Sequence, residues 1–478
     1  MAVLETVNEF FTKKLRTPPP FEPSTFETCT IFLMGVSILQ PVFITLAGTG
    51  FAMRRFGLPP ETIGLFLGFT FCLQDLFCLL GNAATTALTQ VFSKPPHEKY
   101  WEYIRGTYAM TLCCFTSIWN IRLLLVFGTG IGDAHITQYY WTLASTGFLY
   151  GALDGCIRQI SPKKIAFMNL GMAFSGMSAN VVHFLVAKCL PAGAELSYWS
   201  VYWQLLYAII LSMVAGIMFT IVVIFDRFGP PKPDYSSGGS FPDVVEALQT
   251  GLPFITMICL GWGLTFGVYP NVAPFSLVGF MDAQLALRLI MCMQAVIGIA
   301  VVLLNEKCNL WKSWNQQPHY YASMLLFIPY FGCAICFFIA MHYPESAIGS
   351  KIYMNKKLVC FMTCLFVGCA YVLMSMGWSG FFMTMEGTKD TTPGGRLVVM
   401  AATGLGFMVI LVLTKYLGQG YLRAFREAKS GLESGLPWPT HGKNGAAAFF
   451  YWVGKGFSGG FRTLLSNFTT DIRTKILV

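Results

Sequence analysis

The sequence predicts an all-α polytopic membrane protein with about eleven transmembrane helices, and its composition is the first reason. Hydrophobic residues make up 55% of the 478 residues and only 12% are charged, which is too few to form the charged shell of a soluble core. Apolar runs of about 20 residues recur along the chain, each long enough to cross a hydrocarbon layer roughly 30 Å thick. The runs are continuous rather than alternating in polarity, which excludes a closed β-barrel.

The candidate spans divide into two groups around a polar linker. They cover residues 28–52, 61–88, 104–128, 136–159, 165–189, 198–225, 247–272, 276–304, 320–343, 357–383 and 396–418. The longest polar break, FDRFGPPKPDYSSGGSFPD, is rich in Pro, Gly and Ser and separates six spans from five. The predicted regions are a cytoplasmic N-terminal segment 1–27, a first bundle 28–225, a flexible linker 226–246, a second bundle 247–418 and a basic C-terminal tail 419–478.

Both ends of the chain are expected at the membrane surface. Residues 4–15 place apolar side chains on one helical face beside basic ones, which predicts a short interfacial helix. Loops on the same side of the membrane as the N-terminus carry more Lys and Arg than loops on the opposite side, which favours a cytoplasmic N-terminus. The basic tail then falls on the other side, so either it is an exception or one span is miscounted. Its apolar patch AAAFFYWVGKGF is too short to span, and the sequon at Asn467 is usable only if the tail is lumenal.

Several kinds of chemistry find no support in the sequence. The 15 cysteines lie mostly inside apolar runs and the six histidines are scattered, so neither a disulfide framework nor a metal site is predicted. No phosphate-binding loop or catalytic signature occurs, so the chain is not expected to be an enzyme or to carry a cofactor. The net charge of +9 suits loops facing an anionic leaflet rather than nucleic acid. The expected partners are the lipid bilayer and a small solute.

Charged residues within the spans are the strongest pointers to a site, since each is costly in lipid. They are Asp75, Arg122, Asp154, Asp282 and Arg288, with Arg158 near a span end. Asp154 and Arg158 are one helical turn apart, and an ion pair locking span four to a neighbour or a role toward a substrate both fit this spacing. Asp282 and Arg288 are six residues apart and cannot form such a pair, whereas Gln284 shares a face with Arg288. Asp282 and Arg288 therefore either pair separately with other spans or, in the interpretation preferred here, line a polar cavity at mid-membrane.

Glycines and prolines predict where the spans pack closely and where they are interrupted. Small residues recur every fourth position in span four (Gly147, Gly151, Gly155) and in span five (Gly171, Ser175, Ala179), with Gly176 beside them. Such stripes favour close helix packing. Pro41 is expected to interrupt span one, and Pro270 and Pro274 to interrupt the end of span seven. Broken helices at matching places in two halves indicate a central transport site, although a simple kink is the alternative for either.

Several stretches resemble the equilibrative nucleoside transporter family. LTFGVYPNVAPF is similar to its span seven, GMAFSGMSANVVHFL and YGALDG to its glycine motifs of spans five and four, and LLFIPYFGCAIC and MGWSGFFMTM to spans nine and ten. Arg105 stands where the family has an arginine entering span three. These stretches follow the family's order from about residue 28 to 418, and they are also similar to divergent apicomplexan multigene relatives of these transporters.

The sequence departs from the family's pattern in two spans. The Trp-Asn pair of span one is replaced by Gln40 and Pro41. The span-eight motif is Asp, three residues and Arg. Counted back from Arg288, the aspartate position holds Gln284, and counted forward from Asp282, the arginine position holds Ala286.

The resemblance implies a major-facilitator-like arrangement of six plus five helices that moves nucleosides or nucleobases by alternating access, and a plasma membrane is the expected location. Spans one, two, four and five would then face spans seven, eight, ten and eleven. The implied polar contacts to the solute are Gln40, Asp282, Gln284 and Arg288, and the implied aromatic contacts are Phe43, Trp262 and Tyr269. Trp378 and Phe381 would line the exit. Asp154, Arg158 and Arg105 would act as gate or scaffold residues. A carrier of sugars or amino acids, a transport-inactive structural or receptor protein, and proton coupling through Asp282 remain open.

Overall fold

The computed structural model describes residues 23–59, 62–92, 101–130, 133–161, 164–191, 195–227, 241–270, 272–307, 323–387, 393–442, 444–469 and 471–477. Within these ranges the chain forms helices and turns and contains no strand. Ten of the described helices are long and apolar enough to cross a membrane. The predicted N-terminal interfacial helix and most of the predicted linker lie outside the described residues.

The first bundle contains α1 (Pro23–Arg55), α2 (Ile63–Phe92), α3 (Trp101–Thr129), α4 (Asp133–Ile160), α5 (Ile165–Cys189) and α6 (Leu196–Arg227). Of these six helices, α4 alone is absent from the ten apolar spans, and it carries Asp154 and Arg158 along its 28 residues. It packs closely along α2, while α1 packs along α5 and α6. Helix α4 is therefore the eleventh span, and its polar residues are covered by neighbouring helices.

The second bundle begins with an irregular span and ends with a long helix. Its elements are α7 (Phe241–Thr256), a π-helical segment (Met257–Gly263), α8 (Leu264–Val268), α9 (Phe280–Lys307), α10 (Phe327–His342), the short α11 (Gly349–Ile352), α12 (Lys356–Gly387) and α13 (Pro393–Glu433). Helix α13 continues well past residue 418, where the sequence predicted its end, because Tyr421 and Leu422 are buried against other elements.

The C-terminal tail is helical and folds back onto the bundles. Helix α14 (Gly445–Asn467) packs against α13 and α2, and α15 (Ile472–Leu477) packs against α4. The apolar patch of the tail is therefore part of a helix of 23 residues, longer than the sequence indicated. Asn467 is fully buried, so the sequon there is not accessible in this fold.

Glycine stripes lie where the helices of the first bundle meet. A Cβ at Gly147 or Gly151 would collide with the carbonyl oxygens of Gln74 or Cys78 on α2, and one at Gly155 would lie 3.1 Å from the Thr85 side chain. The backbones of α2 and α4 therefore approach each other as closely as small residues allow.

The remaining glycines of the packing prediction lie on α5. A Cβ at Gly171 would collide with the carbonyl oxygen of Phe32 on α1, and one at Gly176 would come within 2.9 Å of the Phe43 ring. Gly171 thus allows close contact between α1 and α5, and Gly176 makes room for an aromatic side chain.

The two proline sites behave differently. Helix α1 runs unbroken through Pro41, so the expectation of a broken span one is wrong. A proline removes one backbone hydrogen bond, and helices packed inside a membrane bundle tolerate that loss. In the second bundle α8 ends at Val268, and Tyr269 is extended (φ −95°, ψ 139°), as the residue before a proline prefers.

Candidate functional site: a cavity between the two bundles

A cavity of about 140 Å³ lies between the two bundles. Its lining residues come from α1, α2, α4 and α5 on one side and from the α7–α8 span, α9, α12 and α13 on the other. These are the eight spans that the sequence analysis expected to face one another. Outside the cavity, the bundles also contact each other directly through α2 with α13 and through α5 with α9.

Aromatic side chains form much of the wall. They are Phe43, Phe71 and Tyr150 from the first bundle, and Trp262, Phe266, Tyr269, Tyr371, Trp378 and Phe407 from the second. The Trp262 ring meets Phe266 and Tyr371 edge-on, with centroids 5.2 and 5.9 Å apart. Mutual edge-to-face contacts hold these rings in place, so the cavity presents flat apolar surfaces to anything inside it.

An ion pair joins the bundles at the cavity wall. Asp75 on α2 pairs with Lys415 on α13, and both side chains are largely buried. The Lys415 ammonium also lies over the rings of Phe266 and Phe71, 4.4 and 5.2 Å from their centroids. Removing either partner would leave a buried charge without a counter-charge, so this pair fixes the relative position of α2 and α13.

A second ion pair lies within α4. The Arg158 guanidinium donates to both carboxylate oxygens of Asp154, over 2.7 and 2.9 Å, which is the bidentate geometry that arginine favours. The guanidinium also lies 4.3 Å from the centroid of Trp378 on α12. Arg158 therefore lines the cavity and contacts the opposite bundle through a cation–π interaction.

Three amides complete the lining: Asn169 on α5, Gln294 on α9 and Gln419 on α13. The Asn169 Nδ2 and Gln419 Nε2 atoms are buried and have no hydrogen-bond partner among the described residues. The Tyr371 hydroxyl donates to the Asn169 backbone oxygen over 3.0 Å, which holds α5 against α12. Two buried donors without partners at a cavity wall are suited to acceptors on a bound solute.

The structure brings some of the predicted site residues to this cavity and places others elsewhere. Phe43, Trp262, Tyr269, Trp378 and Arg158 line it. Phe381 is fully buried and meets Trp378 edge-on, without being a lining residue. Arg105 donates to the Gln159 carbonyl oxygen over 3.4 Å at the end of α4.

The polar residues predicted around span eight do not line the cavity. Asp282 lies in the first turn of α9, where a carboxylate is favoured by the helix dipole, and pairs with the exposed Lys356 at 3.8 Å. Gln284 Nε2 and Arg288 Nε are buried and find no hydrogen-bond partner in the part of the chain that the structure describes, and Asn180 on α5 donates to the Arg288 carbonyl oxygen over 3.3 Å. Because α9 starts at Phe280, these three residues lie in its first turns. The α9 residue that lines the cavity is Gln294, further along the helix.

Gln40 is also away from the cavity. Its Nε2 donates to the Ser175 carbonyl oxygen over 3.2 Å and to Ser178 Oγ over 2.6 Å. It is almost fully buried. Gln40 therefore ties α1 to α5.

Sequence reasoning missed Lys415 and the three amides. Lys415 lies in the apolar stretch LVLTKYLGQG, three residues before the predicted end of the span at 418, and it was not among the charged residues named within the spans. The continuation of α13 to Glu433 places it well inside the helix. A single lysine within an uninterrupted apolar helix was the signal that could have revealed it. No cluster of potential metal ligands occurs among the described residues.

No family model and no curated protein sequence matches this chain. Solved structures of major facilitator transporters resemble it in fold. The xylose transporter XylE from E. coli, in a partially occluded inward-open conformation, aligns with a TM-score of 0.50 at 12% identity, covering 94% of this chain and 98% of that chain. A D-xylose-proton symporter aligns with a TM-score of 0.50 at 12% identity, covering 92% and 97%. The nucleoside transporter NupG aligns at a TM-score of 0.43 and 13% identity, covering 93% and 99%, and that score is too low to support a conclusion. The chain thus has the major facilitator fold.

Proposed function

We propose that this chain is a facilitative transporter that moves nucleosides or nucleobases across the plasma membrane by alternating access. The observation that carries the proposal is the aromatic cavity between the two bundles. Such a place, shared by two bundles that can rock about it, is where a carrier of this fold binds its solute. The movement is driven by the solute gradient and needs no cofactor.

The character of the cavity favours a flat, uncharged solute. Its described charged lining residues, Asp75, Lys415 and Arg158, are all engaged in ion pairs, so they leave no net charge for an ionic solute to neutralise. Aromatic walls stack well on a planar heterocycle. A nucleobase also carries ring nitrogens and carbonyl oxygens that can accept from Asn169 and Gln419.

The size of the cavity fits one ring better than a whole nucleoside. At about 140 Å³ it is smaller than the roughly 300 Å³ at which pockets for drug-sized ligands begin. In this conformation a nucleobase is the better fit, and a nucleoside requires the bundles to part slightly. In the proposed site Phe43, Trp262 and Tyr269 flank the base, while Asn169 and Gln419 donate hydrogen bonds to it.

Uptake of radiolabelled hypoxanthine and adenosine in a purine-auxotrophic yeast expressing the chain tests this function. Saturable uptake of hypoxanthine, and of adenosine with a higher KM, is the expected result. Labelled xylose and glucose form the comparison arm, because the fold neighbours include xylose transporters. Uptake of a sugar and neither purine would replace the nucleoside proposal with a sugar carrier, and no uptake by surface-expressed protein would favour a role other than transport.

Two variants locate the site. Trp262→Leu removes a cavity ring and Asn169→Leu removes a free amide donor, and each is expected to raise the KM for hypoxanthine about tenfold or more, since a lost contact to a buried solute costs roughly 1–3 kcal/mol. Trp203→Leu is the matched control, because Trp203 on α6 is exposed on the outside of the bundle. Equal KM values in all three variants would show that the solute binds elsewhere.

A further inference from the structure

The C-terminal tail connects the two bundles outside the cavity. Helix α14 packs along α13 of the second bundle and touches α2 of the first, and α15 packs on α4 of the first bundle. The tail therefore crosses from one bundle to the other near the end of the molecule where α4 begins. We call residues 445–469 and 471–477 the strap.

The strap is fixed to the second bundle by close backbone contact and by rings. A Cβ at Gly459 would come within 2.7 Å of the Gly420 oxygen, and one at Gly460 within 2.6 Å of the Tyr416 oxygen, so α14 and α13 meet backbone to backbone. Trp452 lies 4.9 Å from the His342 ring at the end of α10 and 5.9 Å from the Tyr421 ring.

Hydrogen bonds attach the far end of the strap to α4. The Tyr140 hydroxyl donates to the Asn467 carbonyl oxygen and the Trp141 Nε1 donates to the Thr469 carbonyl oxygen, each over 3.0 Å. The backbone N–H of Ile472 donates to Thr137 Oγ1 over 3.3 Å. Ile472 is fully buried in the same apolar core as Tyr140.

Asn467 is the joint between the two attachments. Its carbonyl oxygen accepts from Tyr140 of the first bundle, while its Nδ2 donates to the hydroxyl of Tyr416 of the second bundle over 3.0 Å. The residue is fully buried. One asparagine therefore bonds both bundles at once.

We propose that the strap holds the two bundles together at the end where α4 begins, and that its attachment to α4 is released when the cavity opens there. This rests on the proposed function, because alternating access requires the bundles to move apart at that end. The attachment to α13 is continuous with the chain and tightly packed, so the few hydrogen bonds to α4 are the part that can yield.

Cys72 reports on opening without any assumption about the solute. It is a free cysteine that lines the cavity and is buried in this conformation. A membrane-impermeant maleimide, applied to intact cells and separately to inverted vesicles, will modify it when the cavity opens to the treated side. Peptide mass spectrometry distinguishes Cys72 from the other cysteines, and buried Cys113, which is not a cavity residue, monitors integrity of the fold.

The double variant Tyr140→Phe/Trp141→Phe removes two of the bonds to the strap. It is expected to speed Cys72 modification on the order of tenfold from the side where α4 begins, because each lost hydrogen bond shifts the equilibrium toward the open state. Tyr139→Phe is the matched control. Tyr139 is next to Tyr140 in the sequence and is also buried, but its ring packs on Phe56 and Phe127 of the first bundle. A rate equal to that of Tyr139→Phe, or an increase from the opposite side, would overturn the proposal.

Locking the strap gives the converse measurement. Thr137→Cys/Ile472→Cys is oxidised to a disulfide, which is expected to slow Cys72 modification from that side at least about fivefold until dithiothreitol is added. Failure to cross-link contradicts the contact, and an unchanged rate in cross-linked protein contradicts the release. Both measurements are independent of purine uptake, so a chain that transports no purine would refute the proposed function and leave the strap result standing.

Discussion

The first bundle and the second bundle differ in how their spans are built around the same cavity. In the first, α1 runs unbroken through Pro41 and its neighbours meet along glycine contacts. In the second, the equivalent span changes from α-helix to π-helix at Met257 and stops at Val268. The regular bundle supplies a close-packed support, while the irregular span carries Trp262, Phe266 and Tyr269 into the cavity.

Threonine hydroxyl groups donate hydrogen bonds to backbone oxygens of the irregular span. A π-helical turn and a helix end leave backbone carbonyls without their usual partners, and in a membrane those groups must bond within the protein. Thr414 on α13 donates to the Gly263 oxygen over 2.6 Å, and Thr265 donates to the Gly261 oxygen over 2.7 Å. In α1, Thr45 donates to the Pro41 oxygen over 2.7 Å. The bond from Thr414 therefore comes from a neighbouring helix, whereas those from Thr265 and Thr45 lie within their own spans.

The largest effect is expected where the two bundles share a charge. Lys415→Met leaves Asp75 buried without its partner, which should lower the free energy of unfolding by about 3–5 kcal/mol. The double variant Asp75→Asn/Lys415→Met should recover most of that loss. Chemical unfolding of the purified protein in detergent measures both. A single variant as stable as the parent would mean that the pair does not hold the bundles together.

The glycine contacts of the first bundle should give the next largest effect. Gly151→Leu places a side chain against the Cys78 carbonyl of α2, and overpacking of this kind costs about 1–3 kcal/mol or more. Gly332→Leu on α10 of the second bundle is the control, since nothing lies within 4 Å of a Cβ there. The thermal midpoint should fall for Gly151→Leu alone, and equal midpoints would mean that the close contact between α2 and α4 at Gly151 does not contribute to stability.

The support of the π-helical segment should have a smaller effect. Thr414→Val deprives the Gly263 oxygen of its partner on α13, which should cost about 1 kcal/mol and raise the KM for hypoxanthine by shifting Trp262. Thr45→Val is the control, because its bond lies within one turn of α1 and should cost less. If both variants change stability and KM equally, the irregular span does not depend on α13.

The smallest effect is expected at Asp282. Its carboxylate is 41% exposed and its partner Lys356 is 66% exposed, and surface pairs of this kind contribute only about 0–1 kcal/mol. Asp282→Asn should leave both stability and hypoxanthine uptake close to those of the parent, in contrast to Trp262→Leu. Loss of uptake by surface-expressed Asp282→Asn would instead place the solute at the start of α9, as the family resemblance implied.

The family resemblance implied part of the cavity's aromatic wall. Phe43, Trp262, Tyr269 and Trp378 were named from that resemblance and line the cavity, whereas its other aromatic lining residues were not named. The intrahelical pair Asp154–Arg158 was predicted as well, because residues four apart on a helix are neighbours whatever surrounds them. Asn169 and Gln419 gave no comparable local signal, since their significance depends on what lies across the cavity. Lys415 did give one, as a lysine inside an apolar stretch.

The sequence by itself determined that this chain is a bundle of membrane-spanning helices in two groups, because hydrophobic length and small-residue spacing are properties of each segment alone. The tertiary structure decided which polar residues meet: Asp75 with Lys415 over 340 positions, and Asn467 with both Tyr140 and Tyr416. It also decided that Asp282 lies at a helix start rather than in the cavity. Contacts between distant segments depend on how helices are rotated and offset, and neither quantity is encoded in the periodicity of any single span.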